Sequence, residues 1–281
     1  MSMTITGIFF HPIMSEADWP IIGNKFRDFP HVLRDVLASP NVTLHTPEPV
    51  DEELLLKVHT FSLLSREKKM WYYEAARRSV GGCVAAAKGV AGGSLRNALV
   101  FSVAAGHHAG PSSAWGGTYL SCTGPAAVVL KEQCNWERIA IIDTDSHHGD
   151  GTRAVFEHDG RVLHVCFCDS DAASEDDTKI DVDVGWKTSD QVYLQRIEEE
   201  FGSRVEAFRP QLIFHNFGHD TCQGDYGDRG LTPDLFPTLA RQIQDLADQF
   251  CDGRYIVITH GGARADVATR IFPEIAHILA S

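Results

Sequence analysis

Apolar, β-branched runs of strand length recur along the chain, at Ile5 to Phe10, Ala98 to Ala104, Ile139 to Ile142, Val162 to Phe167, Leu212 to Phe217 and Tyr255 to Thr259. Between most of them the apolar residues return at helical spacing, over Trp71 to Val90, Thr118 to Glu132, Ser189 to Phe208, Pro233 to Phe250 and Ala265 to Leu279. Near-continuous apolar strands alternating with helices predict an α/β fold in three layers: a mostly parallel central sheet with helices on both faces. Such sheets bind ligands beyond the carboxyl ends of their strands. Polar clusters follow four of the strands here: His107-His108, Asp145 with His147, Gly218-His219-Asp220, and His260-Gly261-Gly262. Parallel strand ends are neighbours in space, so the four clusters should converge on one rim.

The densest cluster is Ile141 to Gly151, where an apolar run feeds into Asp143, Asp145, His147, His148 and Asp150. A lone aspartate or histidine after a strand is usually a cap, a turn former or a satisfied core residue. Five together are tolerated inside a protein chiefly around a cation or a reaction. Asp145 and His147 are two apart, so at the end of an extended segment they point the same way and can share one ion, with Asp143 on that face too. Gly149 and Gly151 let the backbone turn into a helix from Gly151 to Glu157. The stretch reads as part of a metal-dependent hydrolase.

Composition narrows the remaining classes. At 281 residues and 43% hydrophobic, the chain can bury a large core, and no linker or repeat interrupts it, so one domain spanning 1–281 is expected. The net charge of -13, without a long run of Lys or Arg, argues against a direct nucleic-acid ligand. No apolar stretch reaches the ~18 residues of a membrane span, and the first residues do not resemble a secretion signal, so a soluble, cytoplasmic protein is expected. Seven cysteines without Cys-x-x-Cys spacing suggest neither a disulfide framework nor a zinc knuckle. Cys166 and Cys168 read as small buried hydrophobes in a strand.

Four segments, in order, resemble those of the arginase/deacetylase superfamily, and within it the zinc-dependent histone deacetylases and acetylpolyamine amidohydrolases. These are Gly106-His107-His108-Ala109, the run from Asp143 to Gly151, the run from Gly218 to Asp225, and Leu231-Thr232. The resemblance implies that Asp145, His147 and Asp220 bind a catalytic metal, zinc by default, with Fe2+, Co2+ or Mn2+ able to replace it in a site of two carboxylates and one imidazole. It implies proton transfer by His107 and His108, oriented by Asp143 and Asp150, with a structural K+ near Asp143. Trp115, Gly117, Gly218 and Gly262 fall where substrate is expected. The implied reaction removes an acyl group, by default acetyl, from a lysine, polyamine or other small amide.

Two departures stand out. Where the family usually closes its site with Gly-Gly-Gly-Tyr, this chain has Gly261-Gly262-Ala263-Arg264, so Arg264 stands where the oxyanion-binding phenol is expected. It can clamp a substrate carboxylate, stabilise an oxyanion or point to solvent, and His219 is an alternative donor. Gly116-Gly117 replaces an aromatic of the acyl-lysine tunnel, which predicts a wider wall. The acidic run between Cys168 and Ile180 reads as a solvated loop. His11 resembles the rim loop after the first strand in relatives, and Trp71, Tyr72 and Tyr73 read as helix packing. Two other readings stay open: an arginase-like ureohydrolase with two manganese ions, and a binding or scaffold member with weak catalysis. The sequence leaves the oligomeric state undetermined.

Overall fold

The structure, a computed structural model, describes residues 5–281. Its strands are β1 (Thr6–Phe9), β2 (Val42–His45), β3 (Asn97–Val100), β4 (Ile139–Asp143), β5 (Val162–Cys168), β6 (Ala172–Ala173), β7 (Lys179–Asp183), β8 (Leu212–Phe217) and β9 (Tyr255–Thr259). They form one sheet in the order β2-β1-β3-β9-β8-β4-β5-β7-β6, parallel except for the antiparallel pair β6 and β7 at one edge. Every residue of β3, β4, β8 and β9 is buried, so both faces of the sheet centre are covered. The helices Tyr73–Ala91 and Thr123–Cys134 pack on each other, as do Leu235–Phe250 and Ala265–Leu279. This is the three-layer arrangement that the alternation of strand and helix predicts.

The edges depart from expectation. β2 and β7 were not anticipated, and in both cases their polar residues explain it. β2 carries only one fully buried residue. β7 reads Lys-Ile-Asp-Val-Asp, yet Lys179 and Asp181 are buried, the lysine donating to the carbonyls of Val162 at 2.7 Å and Asp159 at 3.1 Å. The acidic segment before it is solvent-exposed as expected, and two of its residues fold back as β6 to pair with β7. Trp71 lies outside the helix that begins at Tyr73, 61% exposed and stacked on Trp19 at 5.2 Å.

The topology sets β3, β9, β8 and β4 side by side, so the loops leaving their carboxyl ends meet. Lys25, fully buried, ties the loop after β9 from behind by donating to the carbonyl oxygens of His260 and Gly261.

Candidate metal centre and active site

Asp145 and His147 leave the end of β4 and Asp220 leaves the end of β8, and one donor atom from each lies within 4.8 Å of the others. His147 Nδ1 is 3.0 Å from both Asp145 Oδ1 and Asp220 Oδ2. Backbone amides fix the carboxylates: His147 N–H donates to Asp145 Oδ1 at 3.0 Å, Gly261 N–H to Asp145 Oδ2 at 2.8 Å, and Ser146 N–H to Asp220 Oδ1 at 3.1 Å. Gly218 lets the two loops close, because a Cβ there would lie 2.6 Å from the Asp145 Cα and 2.8 Å from Asp220 Oδ1. Asp220 Oδ2 is buried without an aligned hydrogen bond. Burial, and then the neighbouring Asp145 charge, push the Asp220 carboxyl up to about 7. A divalent cation between these groups would relieve both the orphaned oxygen and the repulsion, so the donors fit a metal.

The paired histidines each have their own carboxylate. His107 Nδ1–H donates to Asp143 Oδ2 at 3.0 Å, which turns Nε2 toward the metal cluster, 3.6 Å from Asp145 Oδ1. Asp143 also accepts from Asn216 Nδ2 at 3.0 Å and from the Asp145 amide at 3.2 Å. His108 Nδ1–H donates to Asp150 Oδ1 at 2.7 Å, and the other oxygen of Asp150 accepts from Trp115 Nε1–H at 2.8 Å. The Trp115 ring lies 3.9 Å from that of His108. Burial opposes charge on His107, but the carboxylates of Asp143 and Asp145 outweigh it and raise its pKa to about 9. Burial, and then the charge on His107, lower that of His108. Adjacent imidazoles are thus biased apart, one toward holding a proton and one toward lacking it.

Both histidines, with Asp145 and His147, open onto a cavity of about 180 Å3 whose walls include Ile21, Trp115, Gly117 and Tyr226. The two glycines do not leave the expected breach. At Gly117 (φ +78°) a Cβ would lie 2.7 Å from the Pro20 carbonyl oxygen and 3.0 Å from the Ile21 side chain, so the loop before β2 fills the wall. Gly218 and Gly262 shape backbone instead of lining this cavity.

Of the roles open to Arg264, the structure supports neither the clamp nor the oxyanion donor: the side chain points away from the cavity. Its Nη1 donates to the Gln223 carbonyl at 2.7 Å and its Nη2 to Asp266, and it caps the last helix outside the cavity. The reason is backbone geometry: Asp225 accepts from the amides of both Ala263 and Arg264, which turns that residue away. His219 is buried against Phe272 and Phe236, ring centroids 5.7 and 6.4 Å away, and faces no substrate. His11 caps a short helix by accepting from the Ile13 amide.

The residue that sequence reasoning missed is Tyr226. Its ring lies along that of His147, centroids 5.6 Å apart, and its Oη accepts from Gly262 N–H at 2.9 Å. That bond uses a lone pair and leaves the phenol proton free. A Cβ placed on Gly261 would be 2.9 Å from both Tyr226 Oη and Asp220 Cγ, so the phenol oxygen borders the metal carboxylates. Burial and the charges of Asp220 and Asp145 raise its pKa, which keeps the proton on. The available signal was a tyrosine inside the loop between Gly218 and Leu231.

Residues 68–279 match the family model described as the histone deacetylase domain. The chain is 29% identical over 249 residues to a histone deacetylase-like amidohydrolase of Pseudomonas aeruginosa, covering 78% of this chain and 66% of that protein. It is 28% identical over 257 residues to a probable deacetylase of Archaeoglobus fulgidus, covering 81% and 71%. The chain thus spans about two thirds of the length of these curated relatives. The crystal structure of the HDA15 HD domain superposes with a TM-score of 0.84 at 21% identity, over 98% of this chain and 88% of that one.

Proposed function

Because the chain belongs to the histone deacetylase family, we propose that it is a metal-dependent amidohydrolase that removes a short acyl group, by default acetyl, from an amine. The observation that carries this reading is the meeting of three metal-capable side chains with two carboxylate-backed histidines around one small cavity. Asp145, His147 and Asp220 would hold the ion, which we assign as zinc, with Fe2+, Co2+ and Mn2+ suited to the same donors. Such an ion supplies a Lewis acid and an acidified water.

The chain's own groups then divide the proton traffic. His107, held by Asp143, and His108, held by Asp150, carry protons at their Nε2 atoms, one receiving and one delivering to the departing amine. Tyr226, with its proton free, donates to the oxygen on which negative charge develops, the part expected of the tyrosine absent after Gly262. Trp115 and Ile21 give the acyl group apolar walls. Asp150, Asp169 and Asp228 line the adjoining cleft, which with the net charge of -13 favours a cationic amine such as an acetylated lysine or polyamine. Seven free cysteines suit a reducing cytoplasm.

A binuclear, guanidino-cleaving site is less well supported, since Asp143 is engaged by His107, Asn216 and a backbone amide rather than turned to a second ion. The test is acyl release from a panel of acetyl-lysine peptides, acetylpolyamines and small amides, with the zinc-loaded protein. Turnover lost by about 100 to 10,000-fold in His108→Ala is the expected result. No release from any member of the panel by the metal-loaded wild type overturns the reading.

A further inference from the structure

A second set of metal-capable side chains lies on the far side of β4 from Asp220. Cys166 and Cys168 are two apart on β5, so both thiols project from one face, and Asp181 is the registered partner of Cys166 across the β5/β7 pair. One donor atom from each lies within 4.8 Å of the others, and all three residues are buried. These three donors are thus brought together by strand register.

Each donor is prepared for more than packing. Asp181 is 5% exposed; its Oδ2 accepts from Arg153 Nη1 at 2.8 Å, but its Oδ1 has no hydrogen-bond partner. His148 Nε2 stands 3.2 Å from that Oδ1 and is likewise without an aligned bond. The same signature, a buried carboxylate oxygen close to an imidazole nitrogen but not bonded to it, marks Asp220 beside His147. Gly149 N–H donates to Cys166 Sγ at 3.3 Å, a contact that favours a thiolate.

We propose that Cys166, Cys168 and Asp181 bind a structural zinc ion, with His148, whose Nε2 lies beside Asp181 Oδ1, turning in as the fourth donor. Two thiolates, a carboxylate and an imidazole are a tetrahedral zinc set. Charge closes as well: two thiolates and one carboxylate are balanced by the divalent ion and the guanidinium of Arg153. On binding, the thiols release their protons to solvent and two S–Zn bonds form, with no change of oxidation state. His148 is a third exposed and borders the cleft that also holds Asp169 and Trp186, which gives the ion a way in.

The experiment is metal content and cobalt spectroscopy on the whole protein. Elemental analysis should give two divalent ions per chain, falling to one in both Cys166→Ser/Cys168→Ser and Asp220→Asn. Cobalt-loaded wild type should show near-ultraviolet thiolate-to-cobalt charge transfer, retained in Asp220→Asn and lost in the cysteine variant. Because wild type alone reports the band, the test survives a cysteine variant that fails to fold. Absence of the band from fully cobalt-loaded wild type overturns the proposal, as does a Cys166–Cys168 disulfide found in its place. Two ions that both persist in the cysteine variant and both vanish in Asp220→Asn also overturn it, and point to a binuclear catalytic centre instead.

Discussion

His147 and His148 are neighbours in the chain, but one belongs to and the other borders two metal-capable clusters of opposite design. The first, with Asp145 and Asp220, draws oxygen and nitrogen donors from loops and opens onto a cavity of about 180 Å3. The second, around Cys166, Cys168 and Asp181, draws two sulfurs from β5 and a carboxylate from its paired strand β7, and is closed by burial. An ion with an open position can work on a substrate, whereas one whose shell is filled by the protein holds the protein together. The difference lies in where the donors sit: the loops beyond β4 and β8 reach into a cavity, while residues within the β5/β7 pair reach only their neighbours.

The comparison is most exposed at Asp220. Asp220→Asn replaces one ligand carboxylate of the open cluster and should reduce acyl release to background while leaving the thermal midpoint close to wild type. Calorimetry and a turnover assay on one preparation check this. If activity survives the change, the open cluster is not the catalytic one.

Next in size is Tyr226→Phe, which removes only the phenol oxygen beside Gly262. Loss of one oxyanion donor costs about 100 to 1,000-fold, roughly 3 to 4 kcal/mol. The loss should fall on kcat, with KM little changed, because the donor acts where charge develops and not on the resting amide. A variant that raises KM at constant kcat would make Tyr226 a wall of the cavity and nothing more.

Why Tyr226 escaped notice while Asp145 and His147 did not is a matter of distance along the chain. Asp145 and His147 are two residues apart after an apolar strand, and that local spacing already puts them on one side. The bond from Gly262 to Tyr226 joins positions 36 apart and depends on how the Gly218 to Leu231 loop folds back. The closed cluster was hidden for the same reason. Its partner, Asp181, is set by the β5/β7 register, and Lys179-Ile180-Asp181-Val182-Asp183 carries too many charges to look like a buried strand. The central strands were plain because both their faces are covered and all their residues are apolar or nearly so. The glycine pair at 116 and 117 misled differently: Gly116 marks where the His108 ring comes close and Gly117 where the Pro20 carbonyl and the Ile21 side chain do, not where space is left.

Cys168→Ser should invert the pattern of Asp220→Asn. It takes a donor from the closed cluster, so the thermal midpoint should fall by about 5 °C, corresponding to roughly 3 kcal/mol at this chain length. Turnover measured well below that midpoint should stay within a few-fold of wild type. A midpoint equal to wild type would return Cys168 to the role of a small buried hydrophobe.

The smallest expected effect belongs to the residue that the sequence made most prominent. Arg264 donates to the Gln223 carbonyl and pairs with Asp266, and its side chain is 37% exposed, so the pair is of the partly solvated kind worth about 0 to 1 kcal/mol. Arg264→Ala should therefore leave kcat/KM within about five-fold of wild type on cationic and anionic amides alike. The paired comparison with Tyr226→Phe makes the point sharper than either variant alone, since both residues compete for the place of one missing phenol. If Arg264→Ala lost activity selectively on amides bearing a carboxylate, the guanidinium would have to swing into the cavity during binding, breaking its bonds to Gln223 and Asp266, and the assignment of the two residues would reverse.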